Sequence, residues 1–527
     1  MGATPSSSNS TTARFGVLAG AIIVQLILGT VYGYSIFWQP LTAEVFPEVI
    51  TEAEQTARLA SGIEVSGVEV VADETARLAR LATQQGYLKY AFSICILSFA
   101  FVMVIAGRIQ DITGPRLPAI IGAVLMGLGF LLAGLMDRPG VFYLAHAAFV
   151  GAVCVVLIMA FQATVGRLDP EKFPIVRAGP LGIVAACVVA GFLMGQNYAG
   201  TGGPIEKLFL LWGTIGFLAG AGIGFAYVCP IAALVKWFPK HKGLVSGLAV
   251  AGFGFGAFLF KGQTFGALGF IEDNGIRSFF VLHAGVCFVG VLLGALLLRN
   301  PPSAAPAAGT IEKPESSWQD TLRRPAFAVL WLMFFSGAMA GLMVIGIIKV
   351  FAGEQLVAAA IESGEALADE TRAGLLAQGA AAVGWLAIFN AVGRIAWGFI
   401  SDRIGRTIAF VAMFLAQAVM MFMLGAMQTE LSLAVAASIV GFNFGGNFAL
   451  FPSATADLFG SKNLGANYGW VFTSYGLAGV VGIAAGNTAK SMTGSYTAAF
   501  AVAGVLCLVS AALAVGLAVS RRRLASA

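Results

Sequence analysis

The sequence predicts an all-α polytopic membrane protein, and three observations carry that prediction. Hydrophobic residues make up 58% of the 527-residue chain and charged residues 11%, with a mean hydropathy of +0.87. A typical soluble protein carries about twice that charged share, so such an interior could not be covered with polar surface. The apolar residues also gather into runs of about 20, the length an α-helix needs to cross a bilayer. Finally, basic residues concentrate in alternate connecting segments, as the positive-inside rule requires.

Fourteen apolar runs stand out: 14–38, 86–107, 117–136, 141–163, 179–197, 208–235, 243–262, 278–298, 326–350, 381–400, 407–427, 431–456, 465–487 and 497–519. Each is read as a helix, because backbone groups in lipid must be satisfied within their own segment. The first run follows a Ser/Thr-rich, nearly uncharged stretch and has no small-residue cleavage site after it, so it is expected to be a span and not a leader. With the N-terminus inside, and Arg14 and Lys261 at run ends counted with the segments they border, 19 of the 31 Lys and Arg fall in inner segments, nine outside and three (Lys89, Lys349, Arg394) within spans. Acidic residues run oppositely, 18 outside and eight inside. Both termini are therefore expected to be cytoplasmic.

Two stretches repeat. Gly107-Arg-Ile-Gln-Asp111-Ile-Thr-Gly114-Pro-Arg116 returns as Gly398-Phe-Ile-Ser-Asp402-Arg403-Ile-Gly405-Arg406, at an offset of 291. Residues 222–247 return at 444–469, aligning Pro230 with Pro452, Gly243 with Gly465 and Gly247 with Gly469, at an offset of 222. The offsets differ by 69, so the N-terminal half carries about that many extra residues between Arg116 and Gly222. The spans 141–163 and 179–197 fill that length. Without them the chain is six spans plus six, related by an axis along the membrane normal. The expected division is an N-terminal bundle over 1–298, with an acidic outer loop at 42–83 and an inserted pair at about 137–207. A cytoplasmic linker at 299–325 and a C-terminal bundle over 326–527, with an outer loop at 352–380, follow.

The repeated Gly-xxx-Asp loops resemble the signature loops of major facilitator transporters. Gly29-Thr-Val-Tyr32, Tyr227-Val-Cys-Pro230, Ala249-Val-Ala-Gly-Phe-Gly-Phe-Gly256 and Phe448-Ala-Leu-Phe-Pro452 with Asn467-Tyr-Gly469 are similar to the oxalate/formate antiporter branch, which is akin to monocarboxylate transporters. The resemblance implies a secondary transporter of small organic anions working by alternating access, by proton symport or anion exchange; monocarboxylates (lactate, pyruvate, formate) are the expected cargo, with an oxalate/formate exchanger and a non-transporting sensor or structural protein on the same fold as the alternatives. It also implies that Arg394, in Asn390-Ala-Val-Gly-Arg394, takes the substrate carboxylate. Oxalate carriers have a lysine where this chain has Tyr475, and proton-coupled animal relatives an aspartate where it has Asn390.

The residues themselves point the same way. An arginine within a span costs at least ~2.5–3.5 kcal/mol to insert, so Arg394 should face a polar cavity and a partner. Its alternatives are pairing with backbone carbonyls or snorkelling to the inner face. Asn390 lies one turn earlier on the same helix face, where it can orient the guanidinium or bind a neighbouring helix. Tyr227 and Tyr475 sit within spans that the repeat and the resemblance both place at the centre, where a phenol can bond a carboxylate or cap a packed interface; Tyr34 joins them as a further candidate. Asp111, Arg116, Asp402, Arg403 and Arg406 read as an inner-face network that latches the two halves, or as topology charges alone. Lys89 and Lys349 sit at outer span ends, where lysines snorkel.

Other classes fit poorly. The six cysteines lie inside apolar runs without a CxxC pair, so no disulfide, zinc or other metal site is expected. Paired carboxylates or a nucleophile with its base are not apparent, so neither an enzyme nor a bound cofactor is expected. The thinly spread net charge of +5 forms no nucleic-acid patch. The glycine clusters at 220–224 and 252–256 mimic nucleotide loops but sit within apolar helices, where they serve close packing. The expected partners are a small carboxylate, a proton and the lipid bilayer, and the expected form is a multi-pass monomer in a bacterial inner (cell) membrane.

Overall fold

The computed structural model describes residues 7–136, 203–260, 267–302, 315–364 and 368–526, with isolated positions between 143 and 193. The inserted pair and residues 303–314 of the linker lie outside the described residues.

Among the described residues twelve helices form the bundle: α1 (Ser7–Leu28), α2 (Glu74–Thr113), α3 (Arg116–Gly134), α4 (Gly220–Trp237), α5 (Lys242–Phe260), α6 (Ala267–Leu297), α7 (Pro325–Glu362), α8 (Ala380–Ile404), α9 (Arg406–Leu424), α10 (Glu430–Phe459), α11 (Leu464–Thr493) and α12 (Thr497–Ser526). Among the described residues eleven helices are long and apolar enough to cross a membrane, and α5 supplies a shorter apolar helix over Lys242–Gly256. α1 tightens into a 3₁₀ helix at Gly29–Phe37, and α4 continues a helix at Pro204–Leu211 through a π-helical stretch at Trp212–Ala219. Several helices outrun their apolar runs, as α2 and α7 do. Hydropathy marks the length in contact with lipid, whereas backbone hydrogen bonding carries the helix on into water.

α4 packs on α1, α2 and α3, and α6 packs on α1 and α3. In the second set α8 packs on α10, α9 on α12, and α7 on both α11 and α12. The sets meet where α2 crosses α11 and where α5 crosses α8 and α10. Of the most apolar window, 94% is buried in the α4 span against 33% in α12. Val502, Val505, Leu508 and Val509 of α12 are exposed, an inversion that fits a lipid-facing surface.

The repeated loop motif has a physical reason at each position. Gly114 and Gly405 end α2 and α8 with φ of 86° and 88°, a region that side chains with a Cβ disfavour. A Cβ on Gly107 would fall inside the backbone of Gly465, and one on Gly398 inside that of Gly243. Each copy of the first repeat thus crosses the opposite copy of the second. The face carrying these turns is called the turn face below.

Residues 42–83, at the other end, fold more than their composition suggests. Short helices form at Trp38–Val45 and Glu52–Ala60, the latter opened by a Thr51/Glu54 capping box. Strands Val49–Thr51 and Glu69–Val71 pair in parallel, Val49 opposite Glu69. The sequence marks this stretch only as an acidic outer loop, because three-residue strands are too short to show a period. Arg58 pairs with Glu48 at 2.6 Å and holds that carboxyl below its usual range.

Candidate functional site

Arg394 is fully buried between the two sets of helices. Its Nη1 donates to the Val250 carbonyl of α5 at 2.7 Å, and its Nε donates to Asn390 Oδ1 at 3.2 Å. The i,i+4 spacing on α8 sets that second bond. The guanidinium carbon lies 4.3 Å from the Phe448 ring centroid and 5.8 Å from that of Phe253. Its Nη2 has no protein partner. Close approach of α5 is what makes this possible, since a Cβ on Gly247 would run into the Arg394 carbonyl. The glycine run at 247–256 thus serves helix packing.

Four tyrosines share the rings around the arginine: Tyr32 and Tyr227 pack on Phe253, Tyr475 packs on Phe448, and Tyr468 packs on Phe472 behind them. Tyr32 and Tyr475 share a hydrogen bond of 2.7 Å between their hydroxyls, joining α1's 3₁₀ segment to α11. Tyr227 of α4 and Tyr468 of α11 face one another, yet neither hydroxyl reaches hydrogen-bonding geometry with any partner. Phe99 packs against Tyr227, Phe253, Phe472 and Tyr475, which closes the group on its apolar side. Arg394, Tyr227, Tyr468 and Tyr475 are each at most 1% exposed, so the site is sealed from both ends.

The structure therefore brings Arg394, Asn390, Tyr227 and Tyr475 together, and corrects the fifth candidate. Tyr34 donates to the Leu88 carbonyl at 3.3 Å and packs against Phe37 and Phe92, away from this group. Two residues in a 3₁₀ helix lie about 240° apart in rotation, so Tyr32 and Tyr34 cannot serve the same face. Tyr32 and Tyr468 were not singled out as site residues from sequence; both belong to the motifs that carry the family resemblance. Phe448 provides the ring beneath Arg394, while Asn447 donates to carbonyls of its own helix at 3.3 Å.

No Asp, Glu or Lys joins Arg394 in the fully buried set among the described residues. Lys89 is exposed, its ammonium 4.7 Å from the Trp38 ring, and Lys349 is exposed as well. Neither adds charge to the centre. Among the described residues there is no group of three metal-ligating side chains.

At the turn face, Asp111 accepts from the backbone N–H groups of Gly465 and Ala466 at 3.0 and 2.8 Å. Asp402 accepts from those of Gly243 and Leu244 at 2.9 and 2.8 Å. Each aspartate thus caps the first turn of a helix in the opposite set, where free N–H groups and the helix dipole favour an anion. Arg406 pairs with Asp402 at 2.7 Å and with Asp457 at 3.1 Å, and donates also to Ser401. Lys242 reaches Asp457 across the same interface at 2.8 Å. Two members of the expected latch do not cross it. Arg116 donates to the Leu298 carbonyl at 2.7 Å, within the first set, and Arg403 lies over Phe399 of its own helix at 3.9 Å.

A helical bundle with a lipid-facing exterior and a sealed arginine–phenol centre where its two groups of helices meet is a membrane transporter. It is a multi-pass integral membrane protein. The chain belongs to the Major Facilitator Superfamily, whose family model matches residues 177–368 and 343–526. It is 28% identical to the oxalate:formate antiporter of Oxalobacter formigenes over 338 residues, 64% of this chain and 74% of that protein. It is 26% identical to apicoplast pyruvate carrier 1 of Toxoplasma gondii over 361 residues, 58% of this chain and 64% of that one. Its fold matches the Escherichia coli fucose:proton symporter with a TM-score of 0.56 at 11% identity, covering 94% of this chain and 97% of that one.

Proposed function

We propose that this transporter carries small monocarboxylates (lactate, pyruvate, formate) by alternating access, with Arg394 receiving the carboxylate. One observation carries the reading. Arg394 is a fully buried cation with an unspent Nη2 at the junction of the two helix sets. An unpaired buried charge is expensive to retain without a use, and a carboxylate matches the planar guanidinium fork. The unpartnered hydroxyls of Tyr227 and Tyr468 add hydrogen-bonding groups beside it. Relatives named for oxalate, formate and pyruvate transport support a small carboxylate. Oxalate itself is the runner-up. With Tyr475 where oxalate carriers have lysine, a dianion would leave net negative charge in a low-dielectric centre, which is costly.

The proposal includes fourteen spans with both termini cytoplasmic, the turn face inward and the 42–83 loop outward, in a bacterial cell membrane, with the protein acting as a monomer. The inserted pair and the division at 299–325 belong to the same reading. Uptake of labelled lactate into proteoliposomes tests it. Arg394→Lys keeps the charge but loses the fork and is expected to cut uptake at least tenfold at normal membrane levels. Unlabelled lactate, pyruvate and formate should each compete better than oxalate. Near-normal uptake by the variant, or stronger competition by oxalate, overturns the assignment.

A further inference from the structure

Three amides lie buried in the C-terminal helices, and the transport reading above uses none of them. Gln417 of α9 and Asn443 and Asn447 of α10 are each at most 3% exposed. They line one narrow gap, closed by Gly337 of α7 with Met413 and Phe414 of α9. The two asparagines stand one turn apart on one face of α10. Their orientation is fixed by groups that can play only one part. The indole N–H of Trp397 donates to Asn443 Oδ1 at 3.2 Å, so the NH2 group of Asn443 is turned the other way. Asn447 Nδ2 donates to the carbonyls of Asn443 and Phe444 at 3.3 Å, which leaves its Oδ1 to face the gap.

Four polar atoms of this group have no partner among the described residues: Gln417 Oε1 and Nε2, Asn443 Nδ2 and Asn447 Oδ1. Two are donors and two are acceptors, and turning the Gln417 amide over leaves that balance unchanged. Bare polar atoms inside a membrane bundle are costly, so these four need an occupant. A water gives two hydrogen bonds and takes two, so one molecule satisfies all four atoms. A metal cation would take the two oxygens and strand both NH2 groups, and no carboxylate is among the residues that line the gap. An organic ligand is too large for it.

We propose that Gln417, Asn443 and Asn447 hold one internal water, and that this hydrated triad positions Arg394. The inference rests on the reading of Arg394 as the carboxylate site. The path runs from Gln417 through the water to Asn443, and from Asn443 to Trp397, three residues along α8 from Arg394. Trp397 is held tightly, since a Cβ on Gly446 of α10 would meet its ring and the Met413 sulfur. The water fixes Asn443, Asn443 fixes the indole, and the indole sets the rotation of α8 at the turn that carries the guanidinium. Asn447 anchors the same water one residue before Phe448, whose ring lies under Arg394. The three amides are therefore positioning residues, which act without touching the substrate.

Labelled-lactate counterflow in proteoliposomes tests the positioning role. Gln417→Leu should raise the KM for lactate about fivefold or more while the maximal rate stays within about twofold at equal membrane levels. Asn447→Leu should do the same, and the double variant should be no worse than the worse single one, because both act through one water. A merely structural role would lower the maximal rate and leave KM alone; that result, or effects that multiply, overturns the inference. Absent wild-type counterflow overturns the transport reading instead, and the water is then tested by itself. A density map of the wild-type protein fine enough to show ordered waters should hold one peak within hydrogen-bonding distance of all three amides. The same map decides if the variants fail to reach the membrane. An empty gap overturns the inference, and so does loss of counterflow when sodium and potassium are replaced by choline, which would put a cation there.

Discussion

The two crossings at the turn face are built to one plan and tied unequally. At both, an aspartate one turn beyond a crossing glycine caps the first turn of a helix in the opposite set. Asp402 is also held by Arg406, which reaches on to Asp457, itself paired with Lys242. Among the described residues Asp111 has no such arginine; the residue in the corresponding region, Arg116, bonds the end of α6 within its own set. The α5–α8 crossing is thus a charge network, and the α2–α11 crossing a pair of capping bonds. The difference teaches that closure can be symmetric in geometry while its strength is not, which lets one seam part before the other.

The largest effect should come from filling a crossing. Gly398→Ala puts a methyl inside the Gly243 backbone, and Gly107→Ala puts one inside that of Gly465. Either should abolish more than 90% of lactate uptake, and a cysteine pair across the affected seam should lose its cross-linking. Retained cross-linking in both would mean that backbone proximity does not hold the face shut. Charge removal comes next. Hydrogen bonds to a charged group contribute about 1.5–3 kcal/mol, so Asp402→Asn should lower uptake about tenfold and expose Leu244→Cys, whose N–H it caps, to a water-soluble thiol reagent. Asp111→Asn should do the same at Ala466→Cys about threefold more weakly. Equal labelling of the two would remove the asymmetry. Arg116→Gln should change uptake by less than about twofold, since its bond lies within one set. A tenfold loss there would place Arg116 in the latch after all.

What could be read from the sequence follows from which forces leave a local trace. The spans outside the inserted pair are legible because lipid demands about 20 apolar residues in a row. The paired aspartates are legible because a repeat copies a backbone contact, and Gly114 and Gly405 mark its turns. Arg394 and Asn390 are legible because a buried charge and its i,i+4 neighbour need no tertiary information. The tyrosine at the front of the site was not. Tyr32 and Tyr34 lie on different faces of the 3₁₀ segment, and no composition signal announces which of them the fold turns toward Arg394. Tyr468 was missed because its hydroxyl gains meaning only from Tyr227, 241 residues away in the chain. Arg116 and Arg403 were placed in the latch by charge alone, whereas direction is set by the helix each one begins or ends.

The end of the linker between the sets is not slack. Glu315 accepts from the backbone N–H groups of Ser461 and Lys462, and the Ser316 carbonyl accepts from the side chains of Asn463 and Asn467. Trp318 then stacks on Trp470 at 6.0 Å. Glu315 is thus fixed to the start of α11 ten residues before the proline that opens α7. Cutting the chain after Glu315 would therefore detach a strap that packs on α11.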